Sequence, residues 1–382
     1  MEITKFVAPE IIFGPGALAQ VGDSAARLGA SKVFLVTDKG VMDAGWVEKA
    51  LPFLEEKGLA YTIWSNVTPN PKDYEVDQGA EVYLAAKCDA ILAIGGGSPI
   101  DAAKAVATLV TNGGRIHDYE GVNKISRPLP PMVMVPSTAG TGADVSQFAI
   151  ITDSTRKVKM VLISKSLVPD ISIIDPLLLT TKDARLTADT GMDVLAHAIE
   201  AYVSIAATPL TDVLALSAIR LVADHLRASV ASRSNLEAKK GMAMASLHAG
   251  LAFSNAILGA VHAMAHQLGA AHDLPHGQVN AILLPHVMEY NLLASVRRFR
   301  DIAQAMGEDI THLSLCQAAD KAVQAVRRLS QDIGIPAGLR AVGVEERDIP
   351  LLSENAALDV CLITNPRDIS VSDIQQIFRN AL

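Results

Sequence analysis

The sequence predicts a two-part fold, an α/β half followed by a half that is almost wholly helical. Up to about residue 180, short runs rich in β-branched residues alternate with helical patterns, which is typical of a mostly parallel sheet covered on both faces. From about Leu186 onward, apolar residues recur at spacings of three and four, as on amphipathic helices. We therefore expect an α/β domain over residues 1–183, an α-helical domain over 184–382, and a cleft between them.

The individual elements can be placed along the chain. Strands are predicted at 33–37, 60–64, 90–94, 131–135, 147–152, 158–163 and 171–174. Helices are predicted over 46–57 and 74–87, from Pro99 onward, and over 209–229, 236–258 and 315–332.

Composition narrows the class of protein. The 382 residues are 50% apolar and carry a formal charge of −8, which argues against nucleic acid or an anionic membrane as the main partner. Three widely spaced cysteines suit a reducing compartment and exclude a cysteine-based zinc knuckle. Because the chain starts without a signal-like region and has no apolar run of about 20 residues, we expect a cytoplasmic protein.

A glycine-rich turn follows the predicted strand at 90–94. It reads Gly95-Gly-Gly-Ser-Pro-Ile-Asp-Ala-Ala-Lys104, with Ser98 expected as N-cap, Pro99 as first helical residue and Asp101 completing a capping box. Glycines allow close approach of backbone N–H groups, and a helix N-terminus favours an anion. The turn therefore predicts a pyrophosphate site, although its spacing is not that of the usual dinucleotide fingerprint, and a plain capped helix is the alternative.

Two further segments support a dinucleotide site. Asp38 follows the strand at 33–37, where a carboxylate can accept hydrogen bonds from an adenosine ribose and repel a 2′-phosphate, so NAD is favoured over NADP; a turn aspartate is the alternative. The loop Pro136-Ser-Thr-Ala-Gly-Thr-Gly-Ala-Asp-Val-Ser146 is rich in hydroxyl groups that can bind ribose, phosphate or carboxamide.

Histidines cluster in the second half of the chain. Five of the ten lie between His262 and His286, and upstream Asp193 and His197 are four residues apart, hence on one face of a helix. This nitrogen and oxygen set suits Fe²⁺, Zn²⁺, Mn²⁺ or Co²⁺. Spacing alone leaves six candidate ligands, namely Asp193, His197, His262, His266, His272 and His276, and a polar helix interface remains the alternative. His117, His225, His248 and His312 are expected to be structural or surface residues.

Together these segments resemble the iron-containing (group III) alcohol dehydrogenase family over essentially the whole chain. The resemblance is carried by residues 95–104, 136–141, 190–204, 261–269 and 274–277. Residues 202–209, with His266-Gln-Leu-Gly269, look particularly like bacterial iron-activated ethanol dehydrogenases. The resemblance implies a dinucleotide-binding α/β domain, an all-α metal-binding domain and an active site between them.

The resemblance also assigns residues. It implies metal ligation by Asp193, His197, His262 and His276, with Fe²⁺ as the metal and Zn²⁺ as the alternative, and it places His266 near nicotinamide and substrate, where it could relay a proton. Around the NAD cofactor it implies Asp38, Asn70, Gly96, Gly97, Ser98, Ser137, Thr138, Thr141, Ser146, Phe148, Lys159 and Leu178. Glu200, three residues after His197, could orient an imidazole, but a surface or helix-pair carboxylate is the favoured interpretation.

The expected activity is hydride transfer between NAD and a short-chain primary alcohol or aldehyde, with the alkoxide held on the metal. A polyol dehydrogenase, or a lyase resembling dehydroquinate synthase, is the alternative on the same fold. A non-catalytic nucleotide-binding or metal-storage protein is a third hypothesis. The family resemblance also implies a homo-oligomer built from dimers.

Overall fold

The structure, a computed structural model, describes residues Lys5–Leu382. The chain forms one compact unit over Val7–Thr181 and a second built on Lys182–Leu382. The first four residues of the predicted first domain lie outside the described residues. The predicted division after residue 183 falls within two residues of this change of unit, and the division into independently folding domains stays a prediction.

The first unit contains nine strands and five α-helices among the described residues. The strands are β1 (Glu10–Phe13), β2 (Lys32–Val36), β3 (Ala60–Trp64), β4 (Ala90–Gly95), β5 (Gly121–Val122), β6 (Met132–Pro136), β7 (Phe148–Asp153), β8 (Val158–Ile163) and β9 (Ile171–Ile174). The helices are α1 (Val21–Arg27), α2 (Lys39–Asp43), α3 (Trp46–Glu56), α4 (Asp73–Ala86) and α5 (Gly97–Asn112). All seven predicted strands are present. The two missed strands, β1 and β5, are short and lie at sheet edges.

Six strands form a wholly parallel sheet in the order β1-β9-β6-β4-β2-β3. Its two faces are buried in separate apolar clusters, one including Phe34 and Ile91 and the other including Leu35 and Leu92. Strand β2 pairs with β3 on one side and β4 on the other, so the order of strands reverses beside it. In open α/β sheets, ligands bind outside the carboxyl ends of the strands at such a reversal.

A smaller sheet of order β5-β8-β7 continues the first unit. Strand β7 pairs antiparallel with β8 and lies at the edge of this sheet. The segment beside Pro71 approaches the open edge of β7, where Thr152 donates its backbone N–H to the Pro71 carbonyl at 2.8 Å.

The second unit is helical in its described residues. Its helices are α6 (Ala184–Val203), α7 (Pro209–Ala231), α8 (Leu236–Ala256), α9 (Ala260–His272), α10 (His276–Asn291), α11 (Val296–Ala305), α12 (Leu315–Asp332), α13 (Ile349–Ala356) and α14 (Val371–Ala381). These observations confirm the predicted α/β and all-α architecture. Helix α6 begins at an Asp183 cap that accepts the Leu186 N–H at 2.8 Å, and it is buried along most of its length.

Close packing brings α10 against α6. Gly277 is the second residue of α10, and a Cβ there would lie 2.4 Å from the Asp189 carbonyl oxygen of α6. Only glycine permits that approach without a shift of the backbone. The contact places the residues that start α10 beside the middle of α6.

No single helix among residues 5–382 is long and apolar enough to cross a membrane. The consecutive helices α8 and α9 pass the length and composition test together, with a bend of 102° between them.

Candidate metal centre and dinucleotide site

The four metal ligands that the family resemblance implies lie on three helices of the second unit, as do the other two candidates, His266 and His272. Asp193 and His197 lie one turn apart on α6, His262 lies in the first turn of α9, and His276 is the first residue of α10. Asp193, His197 and His262 are almost fully buried, whereas the side chain of His276 is 25% exposed. The Gly277 contact between α10 and α6 explains why His276 reaches this group.

The ligand atoms of three residues converge. His262 Nε2 and His276 Nε2 lie 3.7 and 3.8 Å from Asp193 Oδ1, and the three atoms fall within 4.8 Å of one another. Two ligands bound at about 2.1 Å in tetrahedral geometry are separated by about 3.4 Å. The observed separations therefore need only small side-chain adjustments to close on one ion.

Asn280 provides a second sign of convergence. Its Nδ2 atom lies 2.6 Å from Asp193 Oδ1 and 3.1 Å from both His262 Nε2 and His276 Nε2. One atom within hydrogen-bond distance of all three shows that they face a common point. With borderline imidazole nitrogens and a hard carboxylate oxygen, this donor set fits Fe²⁺ or Zn²⁺.

His197 stands beside the three converging residues. Its Nδ1 atom is 4.0 Å from Asp193 Oδ1, and its ring stacks on His262 with centroids 4.5 Å apart. The Phe253 ring also stacks on the His197 ring, with the same centroid distance of 4.5 Å. This packing holds the His197 ring next to the other three side chains.

Glu200 corrects the sequence-based interpretation. It is not a surface carboxylate, because it is buried with 3% exposure, and it does more than join two helices, since its Oε2 lies 2.5 Å from His262 Nδ1. Its Oε1 accepts the backbone N–H of Val261 at 2.7 Å, which fixes the carboxylate. A hydrogen bond at Nδ1 sets the imidazole tautomer and directs Nε2 to a metal.

The electrostatics of this group favour a cation. Burial alone would raise the pKa of Asp193, but His197, His276 and His262 outweigh it and hold that pKa well below its usual range. Burial alone would lower the pKa of His262, but Glu200 and Asp193 outweigh it and raise the pKa to about 9. A positive charge is therefore favoured near neutral pH, and a metal ion held by these residues would take the place of the proton on His262.

His266 lies on the same helix face as His262 but has a different partner. Its Nδ1 is 2.9 Å from Asp359 Oδ2, and its ring stacks on His276 with centroids 5.5 Å apart. Burial alone would raise the pKa of Asp359, but His266 outweighs it and lowers the pKa. The Asp359 contact leaves Nε2 as the other ring nitrogen available for hydrogen bonding.

The remaining histidines occupy other positions. His272 lies 3.5 Å from Asp348, and burial lowers the pKa of His286 to about 4. His248 contacts Ser217 Oγ at 3.0 Å, His225 packs against Gly241, and His312 is exposed. His117 lies 3.2 Å from Asp73 and 3.3 Å from Asp153, in the first unit. Asp153 also forms an ion pair with Arg156, so the Arg156 guanidinium already supplies a positive charge to this group of side chains.

The dinucleotide-site residues gather at the carboxyl ends of adjacent parallel strands. Asp38 follows β2, the glycine-rich turn follows β4, Ser137 follows β6, and Leu178 follows β9. The register pairs Val36 with Ala93 and Gly95 with Pro136, so these ends meet at one edge of the sheet. The Ser137 N–H donates to the Gly95 carbonyl at 2.8 Å.

The predicted capping of the glycine-rich turn is wrong in detail. Helix α5 begins at Gly97 with Gly96 as N-cap and no side-chain cap, so Ser98 and Pro99 already lie in the first turn. Asp101 accepts the backbone N–H of Ile150 instead of closing a capping box. Without a side-chain cap, the N–H groups of the first turn suit an anionic ligand.

The two glycines have close neighbours. A Cβ on Gly97 would lie 2.8 Å from Thr141 Cγ2, and a Cβ on Gly96 would lie 3.3 Å from Thr138 Oγ1. Ser137 Oγ is buried without a hydrogen-bond partner in the described residues. A cradle that a Cβ would fill, together with a buried hydroxyl without a partner, fits a bound pyrophosphate.

The other candidate cofactor residues lie in two places, one near α2 and the turn after β9 and the other near strand β7. Asp38 caps α2 by accepting the Val41 N–H at 2.9 Å, and Leu178 is fully buried. Asn70 accepts a hydrogen bond from Lys159 Nζ at 2.6 Å, while Phe148 is the first residue of β7 and Ser146 lies two residues before it. Sequence reasoning missed Asp359 and Asn280 as contributors to the metal centre, and it considered Glu200 but favoured another role for it. Helical spacing from a predicted ligand could have indicated Asn280, which is four residues after His276.

Comparison with known proteins gives a consistent result. The family model described as "Iron-containing alcohol dehydrogenase" matches residues 8–176, and that described as "Fe-containing alcohol dehydrogenase family, C-terminal" matches 187–382. A 1,3-propanediol dehydrogenase of Klebsiella pneumoniae is 48% identical over 98% of both chains. An NAD-dependent methanol dehydrogenase of Bacillus methanolicus is 44% identical over 99% of both. A crystal structure of a 1,3-propanediol oxidoreductase aligns over 100% of both chains with a TM-score of 0.98 and 48% identity.

Proposed function

The chain belongs to the iron-containing alcohol dehydrogenase family, and we propose that it interconverts short-chain primary alcohols and their aldehydes by hydride transfer to and from NAD. The family assignment predicted from sequence is confirmed. The observation that carries the proposal is the convergence of Asp193, His262 and His276 on one point, in a chain whose other unit offers a dinucleotide site. The named relatives act on methanol and 1,3-propanediol, both of which carry primary hydroxyl groups.

The cofactors supply two kinds of chemistry. Fe²⁺ held by Asp193, His197, His262 and His276 supplies a Lewis acid that lowers the pKa of an alcohol hydroxyl, and NAD supplies the hydride acceptor. Glu200 holds the His262 ring so that Nε2 faces the ligand group. The stacking of Phe253 on His197 excludes water from that side of the group.

In the first unit, the chain binds and orients the dinucleotide. The first-turn N–H groups at Gly97 and Ser98 bind pyrophosphate; Thr138 supplies a hydroxyl beside Gly96 and Thr141 one beside Gly97, and Ser137 supplies a buried hydroxyl. The Asp38 carboxylate binds the adenosine ribose and disfavours a 2′-phosphate. Asn70, Ser146, Phe148, Lys159 and Leu178 complete the cofactor contacts.

We propose that His266 moves the proton released when the alcohol hydroxyl ionises. Because Asp359 lies 2.9 Å from Nδ1, the His266 ring is held with Nε2 free of that contact. An imidazole oriented by a carboxylate can accept and return a proton at Nε2.

A polyol dehydrogenase or a lyase on the same fold is less well supported. The relatives named above are a 1,3-propanediol dehydrogenase and a methanol dehydrogenase, and neither is a glycerol dehydrogenase or a lyase. We also propose that the protein is cytoplasmic and forms homo-oligomers built from dimers, and that it acts on small molecules rather than on nucleic acid or membranes.

The test is metal analysis of anaerobically purified protein, combined with NADH formation from methanol to hexanol, 1,3-propanediol and glycerol. We expect Fe²⁺ in the purified protein and the highest kcat/KM with short primary alcohols. Failure of the metal-loaded protein to reduce NAD with any alcohol would overturn the proposal. Preference for glycerol over every primary mono-alcohol would favour the polyol alternative.

A further inference from the structure

Lys104 is a fully buried lysine in the first unit that the proposed chemistry does not use. It lies on α5, seven residues or about two turns after Gly97, and is 0% exposed. Gly97 and Lys104 therefore share one face of the helix, the face that Thr141 approaches at Gly97. A buried ammonium group is costly unless it is hydrogen-bonded, so its partners show what it stabilises.

The Lys104 ammonium group binds backbone carbonyls. Nζ donates to the Ser146 carbonyl at 2.6 Å and to the Phe148 carbonyl at 2.9 Å, and it lies 3.5 Å from Ser146 Oγ. One helical turn earlier, Asp101 accepts the backbone N–H of Ile150. Lys104 and Asp101 of α5 thus bind the backbone of every second residue from Ser146 to Ile150.

These partners lie along the open edge of β7. In a strand, residues two apart direct their backbone groups to the same side, and Phe148 and Ile150 are such a pair. The opposite edge pairs with β8, whereas Thr152 on the open edge donates to Pro71. Asp101 and Lys104 therefore supply the hydrogen bonds that a further strand would otherwise make.

Burial opposes the charged form of each ionisable side chain in this group. Burial lowers the pKa of Lys104 to about 8, although Asp101 and Asp144 oppose that shift. Burial raises the pKa of Asp101 to about 7, although Lys104 opposes it. Asp144 is fixed by the Ser172 hydroxyl at 2.7 Å.

We propose that Lys104 is a positioning residue for the dinucleotide. It ties the segment from Ser146 to Ile150 to the helix whose first turn binds pyrophosphate, so that both parts of the cofactor site keep one geometry. The inference rests on the proposed function, because Ser146 and Phe148 are cofactor contacts only within it. Lys104 itself contacts the Ser146 and Phe148 carbonyls and approaches the Ser146 hydroxyl.

The test replaces Lys104 by methionine, which keeps the length of the side chain and removes its donors. NADH affinity is measured by fluorescence titration of the metal-loaded protein, together with KM for NAD, kcat and Tm. We expect the Kd for NADH and the KM for NAD to rise about tenfold or more, with kcat changed by less than about threefold.

The second unit offers a matched control. Lys239 is 1% exposed, and its Nζ donates to the Ser229 carbonyl at 2.8 Å. Lys239→Met should lower Tm in the same way while leaving the Kd for NADH within about twofold of the parent value. A fall in Tm without a change in NADH affinity for Lys104→Met, or equal losses of affinity in both variants, would overturn the proposal.

If Lys104→Met does not fold, the variant Asp101→Asn tests the proposal in its place. The amide oxygen can still accept the Ile150 N–H, but the negative charge beside Lys104 is lost. We expect the Kd for NADH to rise about threefold, and an unchanged Kd in this folded variant would overturn the proposal. Absence of NADH binding to the parent protein would instead refute the proposed function, which separates the two failures.

Discussion

The candidate dinucleotide site of the first unit consists largely of backbone and loops at strand ends, whereas the candidate metal centre of the second consists of side chains on helices. In the first, Gly96, Gly97 and Ser137 act through close approach, N–H groups and a buried hydroxyl. In the second, Asp193, His262 and His276 present ligand atoms that converge within 4.8 Å. Helical spacing allows such side chains to be related from sequence, while strand ends meet only once the strand order is known.

The two sites nevertheless share one feature, a buried charged residue behind the groups that bind. Glu200 supports His262 in the second unit, and Lys104 supports the carbonyls of Ser146 and Phe148 in the first. Both side chains are nearly or fully buried. The comparison predicts that damage to either site should be local, because each has its own supporting charge.

The largest effect is expected for His262→Ala. Loss of one metal ligand leaves the Glu200 carboxylate buried beside a cavity, so we expect loss of bound metal and a fall in kcat/KM of about a thousandfold. NADH affinity should be unchanged, since the dinucleotide site is in the other unit. Metal content and NADH titration measure the two effects. His248→Ala, at a half-buried histidine paired with Ser217, is the control and should keep its metal.

Glu200→Gln should have the next largest effect. The amide keeps the shape of the side chain but removes the negative charge that stabilises the donor at His262 Nδ1, and the loss of such a partner weakens metal affinity by about 10–100-fold. Competition with a chelator measures this change. The exposed pair of Glu289 with Arg327 offers the control Glu289→Gln. Equal metal affinity in both variants would contradict the role of Glu200.

Gly97→Ala tests the backbone character of the first site. The new Cβ would lie 2.8 Å from Thr141 Cγ2, so the turn must shift, and we expect NADH affinity to fall about tenfold. Thr141→Ser removes that methyl group, and Gly97→Ala/Thr141→Ser should recover part of the affinity. If the double variant binds NADH no better than Gly97→Ala, the clash is not the cause. Metal content should stay at the parent level in both.

The smallest effect is expected for Asp38→Asn. Asparagine caps a helix as well as aspartate does, so α2 should be retained while the charge is removed. The ratio of kcat/KM for NAD to that for NADP should fall about fivefold, because the 2′-phosphate is no longer repelled. The exposed Asp43, at the end of α2, gives the control Asp43→Asn. An unchanged ratio for Asp38→Asn would show that the charge does not select the cofactor.

Local sequence patterns were sufficient to predict most of the secondary structure of this protein. Runs of β-branched residues predicted seven of the nine strands among the described residues, and spacings of three and four predicted the helical second unit. The choice of four ligands among six candidates came from the family resemblance. Glu200 was misjudged because a carboxylate three residues after His197 is compatible with solvent or with burial. Asp359 is 93 residues from His266, and no local signal joins them.

By itself, the sequence determined the order of elements, the two-part architecture, the family and the residue types at both sites, because these depend on short-range periodicity and on motifs within single segments. The tertiary structure alone decided which strand ends are neighbours and that α5 begins at Gly97. It also decided that Glu200 contacts His262, that Asp359 contacts His266, and that Lys104 binds the Ser146 and Phe148 carbonyls. Those features depend on the register of a parallel sheet and on close contacts such as Gly277 against Asp189. Contacts of this kind join residues far apart in the chain, and only packing brings them together.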